Sequence, residues 1–334
     1  MRIFYVSGYT RMVLFNKLIP GALRKNGYGV IEFDWNSVLK YNKIFNIYSR
    51  EKIEKKINQV LFKNGIESNP DFIFVLKGEP VFLSTLKKIK EETGAVLFNF
   101  FGDDPWEFSH FSGKVAPFYD FFFTYDPWSV TLYRGNGHKH AYHLPYGYDP
   151  EIGNQLKITS SDIKKYGCDI TFIGSHYPKR EELLNKLKNN YNIKIWGRGW
   201  KNTSCKDVFQ GKALYGYEML KAMRCCKILL NIHKGFEQGV EESGEGLNLR
   251  VMEGTACKSF QICNYQADIP KRFLPEEEIV LYHTWNEALE KINHYLKNES
   301  KRKEIAEKGY NRLVREHTLQ RRMGEMMNVI RENI

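Results

Sequence analysis

Two glutamates eight residues apart, Glu245 and Glu253, sit in the densest cluster of chemistry-bearing residues in this sequence, SGEGLNLRVMEGTACKSF over 243–260. A glycine-rich turn leads there into helix-like apolar spacing, which predicts a helix over 249–256 with Glu253 on its second turn and Glu245 in the loop before it. Both carboxylates then border one bound molecule. A carboxylate offers only acceptors and suits the two hydroxyls of a ribose. Arg250 lies between them and offers a planar fork to phosphate oxygens. The same residues also fit an ordinary surface helix that follows a glycine turn, and on spacing alone that plainer reading is the stronger.

Other strand ends carry small, charged or aromatic residues. In TFIGSHYPKRE, an apolar strand stops at Gly174 and Ser175 before a helix opening near Pro178. Small residues let a phosphate approach the backbone, the helix N-terminus favours an anion, and Lys179 or Arg180 adds charge. Such joints are common in any α/β protein. WGRGW places Trp196 and Gly197 after another strand, where a base can stack on the indole or the indole can simply fill the core. KILLNIH ends in Asn231 and His233, a lone histidine of the kind more often structural than catalytic. NFFGDDPW sets Asp103 and Asp104 after a strand, as a general base, a sugar-hydroxyl acceptor, or a plain Asp-Asp-Pro turn and helix cap. Asp126 and Asp149, in TYDPWSV and LPYGYDP, read as structural turns.

The elements that must position these residues alternate in type. Strands are predicted at 2–7, 29–33, 72–76, 95–100, 121–124 and 141–144, with helices over 50–63 and 82–93. A polar, strand-poor stretch over 148–166 follows and marks the domain boundary. A second series has strands at 170–173, 193–196, 228–232, 260–263 and 279–282. Its helices fall at 179–189, 217–225, 249–256, 285–296 and 301–316. Strand–helix alternation implies parallel sheets. Ligands bind such sheets beyond the carboxyl ends of their strands, and two facing sheets would form a cleft.

Composition fits two ordinary globular domains. The chain has 334 residues, 42% hydrophobic and 27% charged, with aromatics at 14%, so disorder is excluded. No apolar run approaches the roughly 18 residues that span a bilayer, and no signal-peptide pattern opens the chain; a cytoplasmic location is expected. The six cysteines show no CxxC pair and no zinc spacing, so no metal site is expected and the thiols read as reduced and mostly buried. A net charge of +11 invites an anionic partner. The lysines, however, are interleaved with glutamates as on solvated helix faces, which makes nucleic acid a minor possibility.

Taken in order, FGDDPW, FFFTYDPWSV, LPYGYDP, DITFIGSHYPKREELL, IKIWGRGW, KILLNIH, GLNLRVMEGTACKSFQ and EHTLQRR resemble the CgeB-like spore-maturation family over nearly the whole chain. These proteins are similar to GT-B enzymes related to glycosyltransferase family 4. The resemblance implies an α/β fold of two Rossmann-like domains. Residues 1–155 would take the acceptor, residues 156–316 a nucleotide sugar, and 317–334 would form a helix crossing back to the first domain.

By resemblance, Glu253 holds the ribose and Glu245 lies near the sugar or phosphates, within a donor site that includes Gly174, Ser175, Arg180, Trp196, Gly197, His233, Gly246, Leu247, Asn248 and Arg250. Gly8 and Tyr9 would lie on the acceptor side. One departure stands out: Lys258 occupies the small-residue stretch after the second glutamate, where a glycine is usual.

The implied activity is transfer of a sugar from a nucleoside-diphosphate donor, most simply UDP-linked, to a glycan, protein or other hydroxyl acceptor. It would need no metal or cofactor and would retain configuration, with Glu245, Asp103 and Asp104 as the candidate catalytic residues; with inversion, Asp103 or Asp104 would be the base. The alternatives are a binding module without turnover, motivated by Lys258, and a phage-like DNA-base glycosyltransferase, motivated by the charge.

Overall fold

The structure, a computed structural model, describes residues 1–8, 14–40, 49–235 and 244–334. Contacts divide it into two compact units, 1–145 with 319–334, and 146–318. The division at Pro145 falls before the polar stretch expected to mark it. That stretch is itself structured. Asp149 caps the helix Pro150–Asn154 through the Glu151 N–H, and a Thr159/Asp162 capping box starts the helix Ser160–Tyr166. Polar cap residues gave the segment the look of a linker.

In the first unit, six strands are all parallel: β1 (Arg2–Ser7), β2 (Gly29–Asp34), β3 (Phe72–Leu76), β4 (Val96–Phe101), β5 (Phe121–Thr124) and β6 (Ala141–His143). Their order is β2-β1-β3-β4-β5-β6. The runs FIFVL and VLFNFF are apolar without alternation because helices cover both faces of the sheet. Phe74 stacks on Phe98 at 4.8 Å between ring centroids, across adjacent strands. Asp126 caps the helix Pro127–Gly135 by accepting from the Ser129 N–H, so its reading as a turn residue describes its place. The helix Leu319–Arg331 closes this unit by packing on the helix Phe15–Lys25, and Asn26 donates to the Gln320 carbonyl at 2.8 Å.

The second unit holds β7 (Cys168–Ile173), β8 (Ile193–Trp196), β9 (Cys226–Asn231), β10 (Gln261–Asn264) and β11 (Val280–Tyr282), parallel and ordered β11-β10-β9-β7-β8. Its core gathers Ile170, Phe172, Leu183, Leu184, Trp200, Ile228, Leu230, Ile262 and Ile292. All six cysteines are free thiols. Burial pushes Cys168 up to about 11 and Cys257 up to about 12, which keeps both inert. Among the described residues, no helix is long and apolar enough to cross a membrane.

Candidate functional site

In the second sheet β8 lies on one side of β7 and β9 to β11 on the other. The strand order therefore reverses between β7 and β9, which is where open parallel sheets take their ligands. Gly174 and Ser175 follow β7 there, and Ile232 and His233 follow β9.

Arg180, in the first turn of the helix Pro178–Leu187, ties these two strand ends together. Its Nε and Nη2 donate to the Ile232 carbonyl at 3.0 and 2.7 Å, and its Nη1 donates to the Ser175 carbonyl at 2.9 Å. The guanidinium lies 4.8 Å from the Tyr177 ring centroid and 5.5 Å from that of Phe172. Among the described residues no carboxylate pairs with it. Burial, reinforced by the charge of Arg250 and opposed by Tyr177, brings it down to about 10. At neutral pH this is a fixed cation with no counter-ion among the described residues and with N–H groups to spare for an anion.

Glu253 is 5% exposed on the helix Leu249–Ala256. Its Oε2 accepts from Arg250 Nη1 one turn earlier, and that nitrogen also contacts the Met219 sulfur. Burial raises the carboxyl above its ordinary range and Arg250 opposes the rise. Arg250 is thus the partner that offsets part of the cost of burying this carboxyl. Oε1 makes no hydrogen bond among the described residues, which leaves one acceptor oxygen for hydroxyl donors.

His233 fixes the start of that helix. The Asn248 N–H donates to His233 Nε2 at 3.0 Å, so the ring's other nitrogen, Nδ1, carries the proton and donates to Asn264 Oδ1 at 2.9 Å. Burial holds the imidazole down to about 4. It is a neutral strut with both nitrogens spent. Asn248 is occupied too: it caps the helix by accepting from the Val251 N–H and exchanges two amide hydrogen bonds with Asn231 at 3.1 and 3.0 Å. The donor roles expected of His233 and Asn248 become positioning roles. Leu247 is fully buried and Gly246 is buried beside it. Glu245 is half-buried, and its carbonyl accepts from the Asp268 N–H at 3.0 Å.

Two expectations on β8 are corrected. Trp196 is 3% exposed and packs on Tyr166 at 5.7 Å between centroids; as a core plug it offers no face to a base. Gly197 is glycine because a Cβ there would sit 1.8 Å from the Gly174 carbonyl oxygen. Its bareness serves the β7–β8 joint, not a ligand.

Lys258 departs from glycine in type but not in shape. It takes the left-handed conformation at φ 54. The Lys258 and Ser259 N–H groups bond back to Thr255 and Gly254 at 3.0 and 2.9 Å, a Schellman close to the helix. Its side chain runs outward to Glu307 at 2.9 Å and over the Tyr310 ring.

In the first unit the two adjacent aspartates separate. Asp104 is fully buried, accepts from Ser112 and Tyr133 at 2.7 Å each, and is pushed by burial up to about 6. It is structural, which corrects its expected catalytic role. Asp103 is half-exposed after β4 and pairs with Lys77 after β3. Burial alone would lower the Lys77 pKa, but Asp103, Glu79 and Glu107 hold it above its ordinary value. Gly8 packs under Trp35, whose indole lies 2.4 Å from where a Cβ would stand, so its small size is spent on packing. Tyr9 lies outside the described residues.

Sequence reasoning passed over Tyr148 and Lys77. Lys77-Gly78 after the apolar run FIFVL was a readable strand-end signal, whereas Tyr148 was hidden inside an Asp-Pro turn.

Residues 179–328 match the family model described as Glycosyl transferase-like. The spore protein CgeB of Bacillus subtilis is 21% identical over 258 residues, covering 73% of this chain and 78% of that protein. Anabaena HepE in complex with UDP-glucose superposes at a TM-score of 0.66 with 11% identity, covering 98% of this chain and 99% of that one. A Thermosynechococcus elongatus sucrose-phosphate synthase gives 0.67 with 10% identity, at 99% and 98% coverage. The fold is that of the GT-B structures, and the chain is similar to CgeB and, over residues 179–328, to glycosyl transferases. The matched region starts one residue before Arg180 and contains His233, Glu245, Arg250 and Glu253.

Proposed function

We propose that the chain moves a sugar from a nucleoside-diphosphate donor, UDP-linked in the simplest case, to a hydroxyl acceptor, without a metal and with retention of configuration. Arg180 is the observation that carries this reading: a cation with no carboxylate partner among the described residues, locked across the β7–β9 reversal. The main chain at Gly174 and Ser175 seats the diphosphate, and Arg180 and Arg250 offset the charge that grows on it as the glycosidic bond breaks. Glu253 Oε1 accepts from the ribose hydroxyls, and Glu245 borders the sugar.

The first unit, 1–145, takes the acceptor. There Asp103, held by Lys77, is the open carboxylate, and it becomes the base if configuration inverts. Lys258 adds no support to a module without turnover, because its backbone keeps the glycine-like close and its side chain points to Glu307.

Thermal-shift measurements with UDP-, GDP- and TDP-sugars test the reading, since a ligand at a hundred times its Kd adds about 2.7 kcal/mol of stability. One donor class is expected to raise Tm in the wild type and to leave Glu253→Ala unmoved. A shift of equal size in Glu253→Ala would take the ribose contact away from this residue.

A further inference from the structure

Tyr148 carries a polar atom for which the fold has no use. It is 0% exposed, and among the described residues its hydroxyl has no hydrogen-bond partner. The residue itself is firmly held. Its N–H donates to the His317 carbonyl at 3.2 Å, and it forms a parallel bridge with Thr318. The helix Pro150–Asn154 that follows packs on the helix Leu249–Ala256 so closely that a Cβ on Gly153 would fall 1.7 Å from the Ala256 carbonyl oxygen. Burial raises the pKa of the hydroxyl, Glu253 on that helix and Cys257 at its C-cap add to the rise, and Arg250 opposes it.

A phenylalanine would fill this space without burying an idle hydroxyl, which costs stability. The hydroxyl therefore points to a state in which it is used. Among the described residues Glu253 has Arg250 as its one hydrogen-bond partner, and Arg250 is also the group that a diphosphate attracts. Once Arg250 turns toward phosphate, the buried carboxylate needs another donor, because an unpaired buried charge is strongly unfavourable.

We propose that Tyr148 is a positioning residue, given that Glu253 receives the donor ribose: its hydroxyl donates to the Glu253 carboxylate as Arg250 shifts onto the diphosphate. The exchange keeps Glu253 charged and aims Oε1 at the ribose hydroxyls. Tyr148 touches neither the sugar nor the phosphates.

Titration calorimetry with UDP and 2′-deoxy-UDP on the full chain tests this, alongside unliganded melting curves. Tyr148→Phe is expected to melt at or above the wild-type temperature, because no hydrogen bond is lost in the free protein. It is expected to bind UDP about tenfold more weakly, the loss of one hydrogen bond to a charged group. Its preference for UDP over the 2′-deoxy form should shrink toward that of Glu253→Gln. UDP affinity at the wild-type level, or an equal loss for both nucleotides, would overturn the positioning role. If the wild-type chain binds no UDP, the donor reading falls, and Tyr148 with it; if it binds UDP and Glu253→Gln weakens binding while Tyr148→Phe does not, the Tyr148 role alone falls.

Discussion

Arg180 spends its hydrogen bonds on two main-chain carbonyls and keeps its charge for something else. A lysine at this position would keep the charge and lose the fork that joins Ser175 to Ile232. Arg180→Lys is therefore expected to weaken donor binding at least tenfold in calorimetry while costing only about 1–2 kcal/mol in denaturant unfolding. His233 makes a second prediction at this scale. Its folded pKa of about 4 lies below the unfolded value, so the folded state resists protonation. The stability tied to neutral His233 is fully present above about pH 6.5 and is lost as pH falls toward 4. The loss amounts to about 3 kcal/mol, and it should be absent from His233→Gln in urea unfolding followed across that range. Glu253 and Arg250 stood out through the family resemblance, because on residue type and spacing alone a plain surface helix was the stronger reading. The occupation of His233 and Asn248 was not, because each one's partners, Asn264 and Asn231, lie on other strands.

The helix Leu249–Ala256 owes its place to both its ends: Asn248 and His233 fix the start, and the left-handed turn at Lys258 fixes the close. Lys258→Gly would relieve the positive φ and lose the outward contacts to Glu307 and Tyr310. The two effects are each about 1 kcal/mol and oppose one another, so stability and donor response should both stay near wild type. Loss of turnover in that variant would show that the lysine has a role in chemistry. Gly197→Ala is the contrasting case. Its methyl meets the Gly174 carbonyl, a backbone atom that cannot step aside, and the variant should lose several kcal/mol in unfolding together with its donor response. Strand positions were readable because short β-rich runs alternate with longer helical stretches. The ligand and core readings of Trp196 and Gly197 both stayed open because a strand end facing a ligand and one plugging a core share the same residue types, and only the neighbouring Tyr166 and Gly174 tell them apart.

At the scale of the whole molecule, each unit has its own parallel sheet, and the chain returns to the first unit for its last helix. Met323, Met326, Met327 and Ile330 of that helix are buried. Met327→Ala should cost about 2–4 kcal/mol, read as a lowered midpoint in thermal unfolding of the full chain. The two-sheet plan was legible from alternation alone. The boundary was not, because capped short helices at 150–154 and 160–166 share the polar composition of a linker. We propose that strand-end cations and Glu253 of the second unit hold a nucleoside diphosphate. A crystal structure of the chain with UDP would show this at once. Phosphates are expected against Gly174, Ser175 and Arg180 and the ribose on Glu253; UDP bound elsewhere, with these residues untouched, would rule the proposed site out.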